Sequence, residues 1–125
     1  MNENTIYLKS FEFAKRIVNL YKFLCENKKE FILSKQILRC GTSIGANVNE
    51  AIAAQSKRDF ISKMAIASKE ARETKYWLEL LISTNYLSKN EKHVSSLQND
   101  IEEIIKILTS IVKISQENLK KEQHG

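Results

Sequence analysis

The chain has 125 residues, no proline, and only two internal glycines, Gly41 and Gly45. Glycine and proline are the main punctuation of β-turns and tight loops, so a chain almost without them has few ways to be anything but helical. Both glycines lie in the segment RCGTSIGANVNEAIA, residues 39–53, and there the apolar spacing is that of a helix. Ile37, Gly41, Ile44, Val48 and Ala51 recur every three or four residues, with Leu38, Gly45 and Ile52 alongside. A glycine inside a helix costs about 1 kcal/mol against alanine, so the pair costs about 2 kcal/mol. Spaced four apart, both glycines face the same way. Close approach of a second helix is the compensation this spacing predicts. Gly41, Ser43, Gly45, Asn47 and Glu50 therefore form a packing motif. Asn47 and Glu50 admit two readings: hydrogen bonds across helices that fix register, or ligands for RNA or a protein partner.

The rest of the chain fits one all-α domain spanning 1–125. Helices are expected at about 10–27, 34–55, 57–84 and 91–117, with a frayed polar tail at 118–125. The first buries Phe11, Ala14, Val18, Tyr21 and Cys25, with Phe13, Ile17, Leu20 and Leu24 widening the stripe. Ser56 and Asp59 open the third as a capping pair, and Ser88 with Glu91 repeats the pattern before the fourth. Glu102–Lys106 and Glu117–Lys121 are i,i+4 pairs. Short connections make consecutive helices antiparallel, which gives an up-down-up-down four-helix bundle. Ile66, Trp77 and Leu80 lie off the main stripe of the third helix, as do Ile107 and Ile114 on the fourth. A second stripe means a broad core or a subunit interface; the interface is the favoured reading.

Several function classes fall away. No apolar run is long enough for a membrane span, and residues 1–13 do not form a secretory signal, so the expected compartment is the cytoplasm. Cys25 and Cys40 are expected to be buried free thiols. His93 and His124 have no activating neighbour, no Glu-x-x-His pair supports a di-iron site, and Gly41-x-x-x-Gly45 lacks the Gly-Lys-Ser/Thr of a phosphate loop. No enzymatic activity, cofactor or metal is expected. The formal net charge is +5. By segment, residues 9–39 carry +5, residues 55–79 carry +2, and residues 80–125 are neutral. The excess in the first three helices makes Arg16, Lys57, Arg58 and Lys63 the candidate phosphate contacts. No aromatic side chains interleave with these charges to stack unpaired bases. Binding to RNA or to a ribonucleoprotein partner is the leading functional expectation. A protein-interaction scaffold without nucleic-acid affinity is the alternative.

Three blocks carry a family resemblance: GTSIGANVNEA at 41–51, SKRDF at 56–60 and EARETKYWLELL at 70–81. Together they resemble the bacterial four-helix bundle proteins encoded in intervening sequences of large-subunit ribosomal RNA genes, over about residues 10–115. The resemblance implies a compact antiparallel bundle that assembles as a homopentamer. It extends to the accessory variability proteins of diversity-generating retroelements, which are basic pentameric barrels that bind a reverse transcriptase and nucleic acid.

Overall fold

In the computed structural model, which describes residues 3–124, four α-helices follow one another: α1 Glu3–Asn27, α2 Leu33–Ile52, α3 Lys57–Ser83 and α4 Lys92–His124. No strand occurs among the described residues. Each helix packs on its chain neighbours, and α4 closes back on α1 along the loosest of the four seams. Cross-helix partners run in opposite senses along each pair, as in Gly41–Ile17 and Gly45–Ser10 between α2 and α1. The arrangement is the antiparallel bundle expected.

At the glycine motif α1 and α2 come into close contact. A Cβ on Gly41 would lie 2.8 Å from Cγ2 of Ile17 and 2.9 Å from its Cγ1. A Cβ on Gly45 would lie 3.4 Å from the Ser10 carbonyl oxygen and 3.4 Å from its Oγ. Ser10 itself is fully buried and donates its hydroxyl to the Tyr7 carbonyl at 3.0 Å, so it brings no unsatisfied polar group into the contact.

Four expectations about the helices need correction. Helix α1 begins at Glu3, not near residue 10, because Ile6 is fully buried one heptad before Phe13 and anchors the extra turns. Its core stripe is Ile6, Phe13, Ile17, Leu20 and Leu24; Phe11 is exposed, and Val18, Tyr21 and Cys25 are only half-buried. The segment 118–124 is helical rather than frayed. Leu119 is half-buried there, and Glu122 pairs with Lys57 at the start of α3. Ile107 is buried in the core instead of lying off the stripe.

The connections follow local chemistry. Asp59 donates its backbone N–H to Ser56 Oγ at 3.0 Å, the cap expected at α3. Ser88 and Glu91 do not make the second capping box; Ser88 Oγ accepts from Asn90 N–H, and Glu91 N–H goes to the Ser88 carbonyl. Helix α3 stops where Asn85 takes a positive φ of 70° and Tyr86 N–H turns back to Leu81 O.

The α1–α2 turn holds a feature that sequence patterning passes over. Glu30 is 8% exposed, and its carboxylate accepts from the N–H groups of Ile32, Leu33 and Ser34 at 3.2, 3.1 and 2.7 Å. It therefore satisfies the donors that open α2, a task Ile32 at the N-cap cannot perform. Glu30→Ala should lower stability by about 1–3 kcal/mol, because buried donors lose their acceptor. Urea unfolding checks this; an unchanged midpoint would mean water replaces the carboxylate without loss.

Candidate functional site

The sequence-nominated basic residues do not converge. Arg16 is turned into the α1–α4 seam. There its Nη1 donates to Asp100 Oδ2 at 2.6 Å and Ser96 Oγ at 3.0 Å, and its Nη2 donates to the His93 carbonyl at 3.2 Å. Three acceptors fix that guanidinium as an inter-helix tie, with Lys9–Glu103 as a second tie in the same seam. Lys57 is paired with Glu122. Arg58 is exposed and makes no ion pair among the described residues. Lys63, half-buried, lies five residues on, about 140° round the helix, and turns toward the α2 side.

A different set shares one surface. On α4, Lys106, Lys113 and Lys120 recur every seventh residue, so they form a row with only about 20° of drift per step. On α3, Arg58, Lys69 and Arg72 lie within about 60° of arc, opposite the buried Ala67, Ala71 and Leu78. All six are exposed. Three contacts fix the register of the rows: Lys75 with Glu102 at 3.4 Å, Arg72 Nη2 donating to Thr109 Oγ1 at 3.1 Å, and Lys57 with Glu122. Lys106 thus falls level with Arg72 and Lys120 level with Arg58.

Several of the acidic residues that neutralise α4 on paper are engaged elsewhere, although the exposed Glu117 stays on the lysine side, four residues after Lys113 and three before Lys120. Asp100 and Glu103 are taken by Arg16 and Lys9 on α1. Glu102 pairs with Lys75 rather than with Lys106, and Glu117 and Lys121 form no ion pair with each other among the described residues. As a result Lys106 makes no ion pair among the described residues. Charge counted by segment hid this face; the seven-residue lysine spacing was the signal that would have found it.

The packing motif behaves structurally. Asn47 Nδ2 donates to the Ser43 carbonyl at 2.9 Å and to Ser43 Oγ at 3.0 Å. Its bonds run within α2, not across helices as expected. Glu50 is exposed and takes no part in the helix contact. Of the nominated interface residues, Ile66 is 39% exposed, while Leu80 and Trp77 are half-buried. Trp77 packs against the core and donates Nε1 to Glu73 Oε2 at 3.3 Å, and Glu73 is also held by Arg39 of α2. The more exposed apolar surface is on α1, where Leu8 is 61% and Phe11 52% exposed and Tyr7 stacks on Phe11 at 6.2 Å.

Other chemistry is sparse. Among the described residues no group of three or more His, Cys, Asp or Glu side chains could hold a metal ion, and no helix is long and apolar enough to cross a membrane. Cys25 is half-buried and Cys40 fully buried, both free. Burial pushes the Cys40 thiol up to about 11, so at neutral pH it stays protonated and poorly nucleophilic.

Comparison with known proteins places this fold. No curated protein matches the chain. A crystal structure of a protein of unknown function, described as of the S23 ribosomal protein family from Bacteroides thetaiotaomicron, is 59% identical. It aligns over 90% of this chain and 99% of its own, with a TM-score of 0.85. The family model for the 23S rRNA-intervening sequence protein matches residues 2–110, the region that holds the glycine motif, the Ser56 cap and most of α4. The chain belongs to the 23S rRNA-intervening sequence protein family.

Proposed function

We propose that this protein is a non-enzymatic, self-associating bundle that binds RNA through the α3–α4 face. One observation carries the reading: six exposed cations gather there with Glu117 as the acid among the lysines, while Asp100 and Glu103 are drawn into the α1 seam and Glu102 is tied to Lys75. Phosphate binding needs clustered cations on one surface, and counterion release makes it strongly salt-dependent. Self-association rests on the exposed Leu8 and Phe11 of α1 and on Ile66 of α3, with the homopentamer implied by the family resemblance as the expected state. Repetition of a basic face around a ring would multiply its contacts.

Filter binding with a structured RNA tests the reading. Six phosphate contacts predict a loss of about a thousandfold in affinity between 50 and 200 mM salt. Arg16→Gln is the internal control, since Arg16 is spent on the α1–α4 seam: it should lower the melting temperature and leave RNA affinity unchanged. Absence of binding at low ionic strength would leave a protein-interaction scaffold as the function.

A further inference from the structure

We infer that the α3–α4 face is built for the paired phosphate chains of a base-paired RNA stem rather than for a single strand; this rests on the RNA-binding reading above. The reasoning starts from the two rows. At 1.5 Å per residue, Lys106, Lys113 and Lys120 stand about 10.5 Å apart and the row is about 21 Å long. Arg58 and Arg72 are fourteen residues apart, so the α3 row has the same length of about 21 Å. The axes of packed helices lie about 8–10 Å apart, and because both rows point outward from the bundle, that is the lower bound on the separation of the rows. Arg72 is held against Thr109, and Lys75 against Glu102, so the rows cannot slide past each other.

Two parallel cationic rows on a rigid support match two phosphate chains bordering one groove. A duplex carries about one charge per 1.7 Å of its axis, so a stretch of about 21 Å offers about a dozen phosphates. Both rows are then occupied by one rigid ligand. A flexible strand would occupy one row and gain nothing from the other unless its bases were held. Sequence-tolerant single-strand binders hold bases on aromatic platforms interleaved with the charges. The span from Arg58 to Arg72 and from Lys106 to Lys120 exposes no such ring. Phe60 within it is half-buried and packs on the core; the exposed Tyr76 lies on the same side of α3 but a turn beyond Arg72, in a T-shaped contact with Trp77, and one ring at the end of the rows is not a series of platforms interleaved with the charges. Recognition by phosphate contacts and shape, without base readout, is what such a surface can provide.

The test compares a hairpin RNA of about 20 base pairs with an oligouridine of equal nucleotide number, using the full chain at low and moderate salt. The hairpin should bind at least tenfold tighter. Lys106→Gln/Lys113→Gln/Lys120→Gln should reduce the salt slope for the hairpin by about 2–3, since each lysine on a phosphate contributes about 1. Arg58→Gln/Lys69→Gln, on the other row, should reduce it by about 2 on the same basis. Agreement of two variants on separate helices guards against a folding artefact in either. Preference for oligouridine overturns the inference. So does a hairpin affinity untouched by both variants, which would leave RNA binding standing but move it to another face. Failure of both RNAs to bind overturns the RNA-binding reading itself.

Discussion

Gly41→Leu should destabilise the protein by about 3 kcal/mol or more, at or beyond the upper end of ordinary overpacking. The site leaves no room for even one carbon. A Cβ at Gly41 would stand 2.8 Å from Cγ2 and 2.9 Å from Cγ1 of Ile17, and Ile17 is fully buried and branched at Cβ. Its rotamer is stiff, so relief requires α1 and α2 to move apart. Gly41→Ala should already destabilise, despite a helix-propensity gain of about 1 kcal/mol. Gly45→Ala should behave oppositely. Its Cβ would meet Ser10 at 3.4 Å, ordinary van der Waals contact, so the propensity gain of up to about 1 kcal/mol survives. Denaturant melts of the three variants decide the matter. Gly41→Ala as stable as the parent would mean that the helices separate freely, and the packing account of the motif would fail. Ile17→Ala supplies a further check: it removes the clashing carbons, so Gly41→Ala should cost less in that background than alone.

The contrast between the two glycines bears on what sequence could reveal. Their spacing and their cost in a helix pointed to a close crossing, and Ile17 and Ser10 are its other side. Period alone could not say which neighbour each stripe meets. Helix α1 carries two apolar stripes, one through Phe13, Ile17 and Leu24 and one through Phe11, Val18 and Tyr21, and a period of 3.6 fits both. Only the position of α2, set by Gly41 and Gly45, decides that Ile17 goes inward and Phe11 outward. The basic face was obscured for a related reason. Acids and lysines alternate along α4, so the segment sums to neutrality, and the lysine row emerges only once Asp100 and Glu103 have met α1 and Glu102 has met α3. Glu30 was equally invisible. Its role depends on a buried turn geometry, with Lys29 at a φ of 53°, that no pattern of side-chain types announces.

The assembled species in solution should have a mass near five times 14.4 kDa by light scattering after size exclusion, the stoichiometry that the family resemblance implies. The proposal of more than one copy rests on surface chemistry. Leu8 and Phe11 are more than half exposed on the same helix, and Phe11 is stacked with Tyr7 into a flat apolar patch. Such a patch on a monomer invites uncontrolled association, and one interface repeated around a closed ring removes it without leaving open ends. Phe11→Lys should therefore shift the protein to smaller species with helicity and melting temperature largely retained, because the ring contributes little to the bundle core. Ile66→Lys probes the α3 flank in the same way, since its side chain is also partly solvent-facing. Trp77→Lys should behave differently from both. Trp77 is packed on the core and bonded to Glu73, so its loss should lower the melting temperature whatever happens to assembly. A monomer at micromolar concentration would refute self-association outright. A dimer, trimer or tetramer would refute only the number five. An assembly unaffected by Phe11→Lys but dissolved by Ile66→Lys would move the interface from α1 to the flank of α3, where the sequence first pointed.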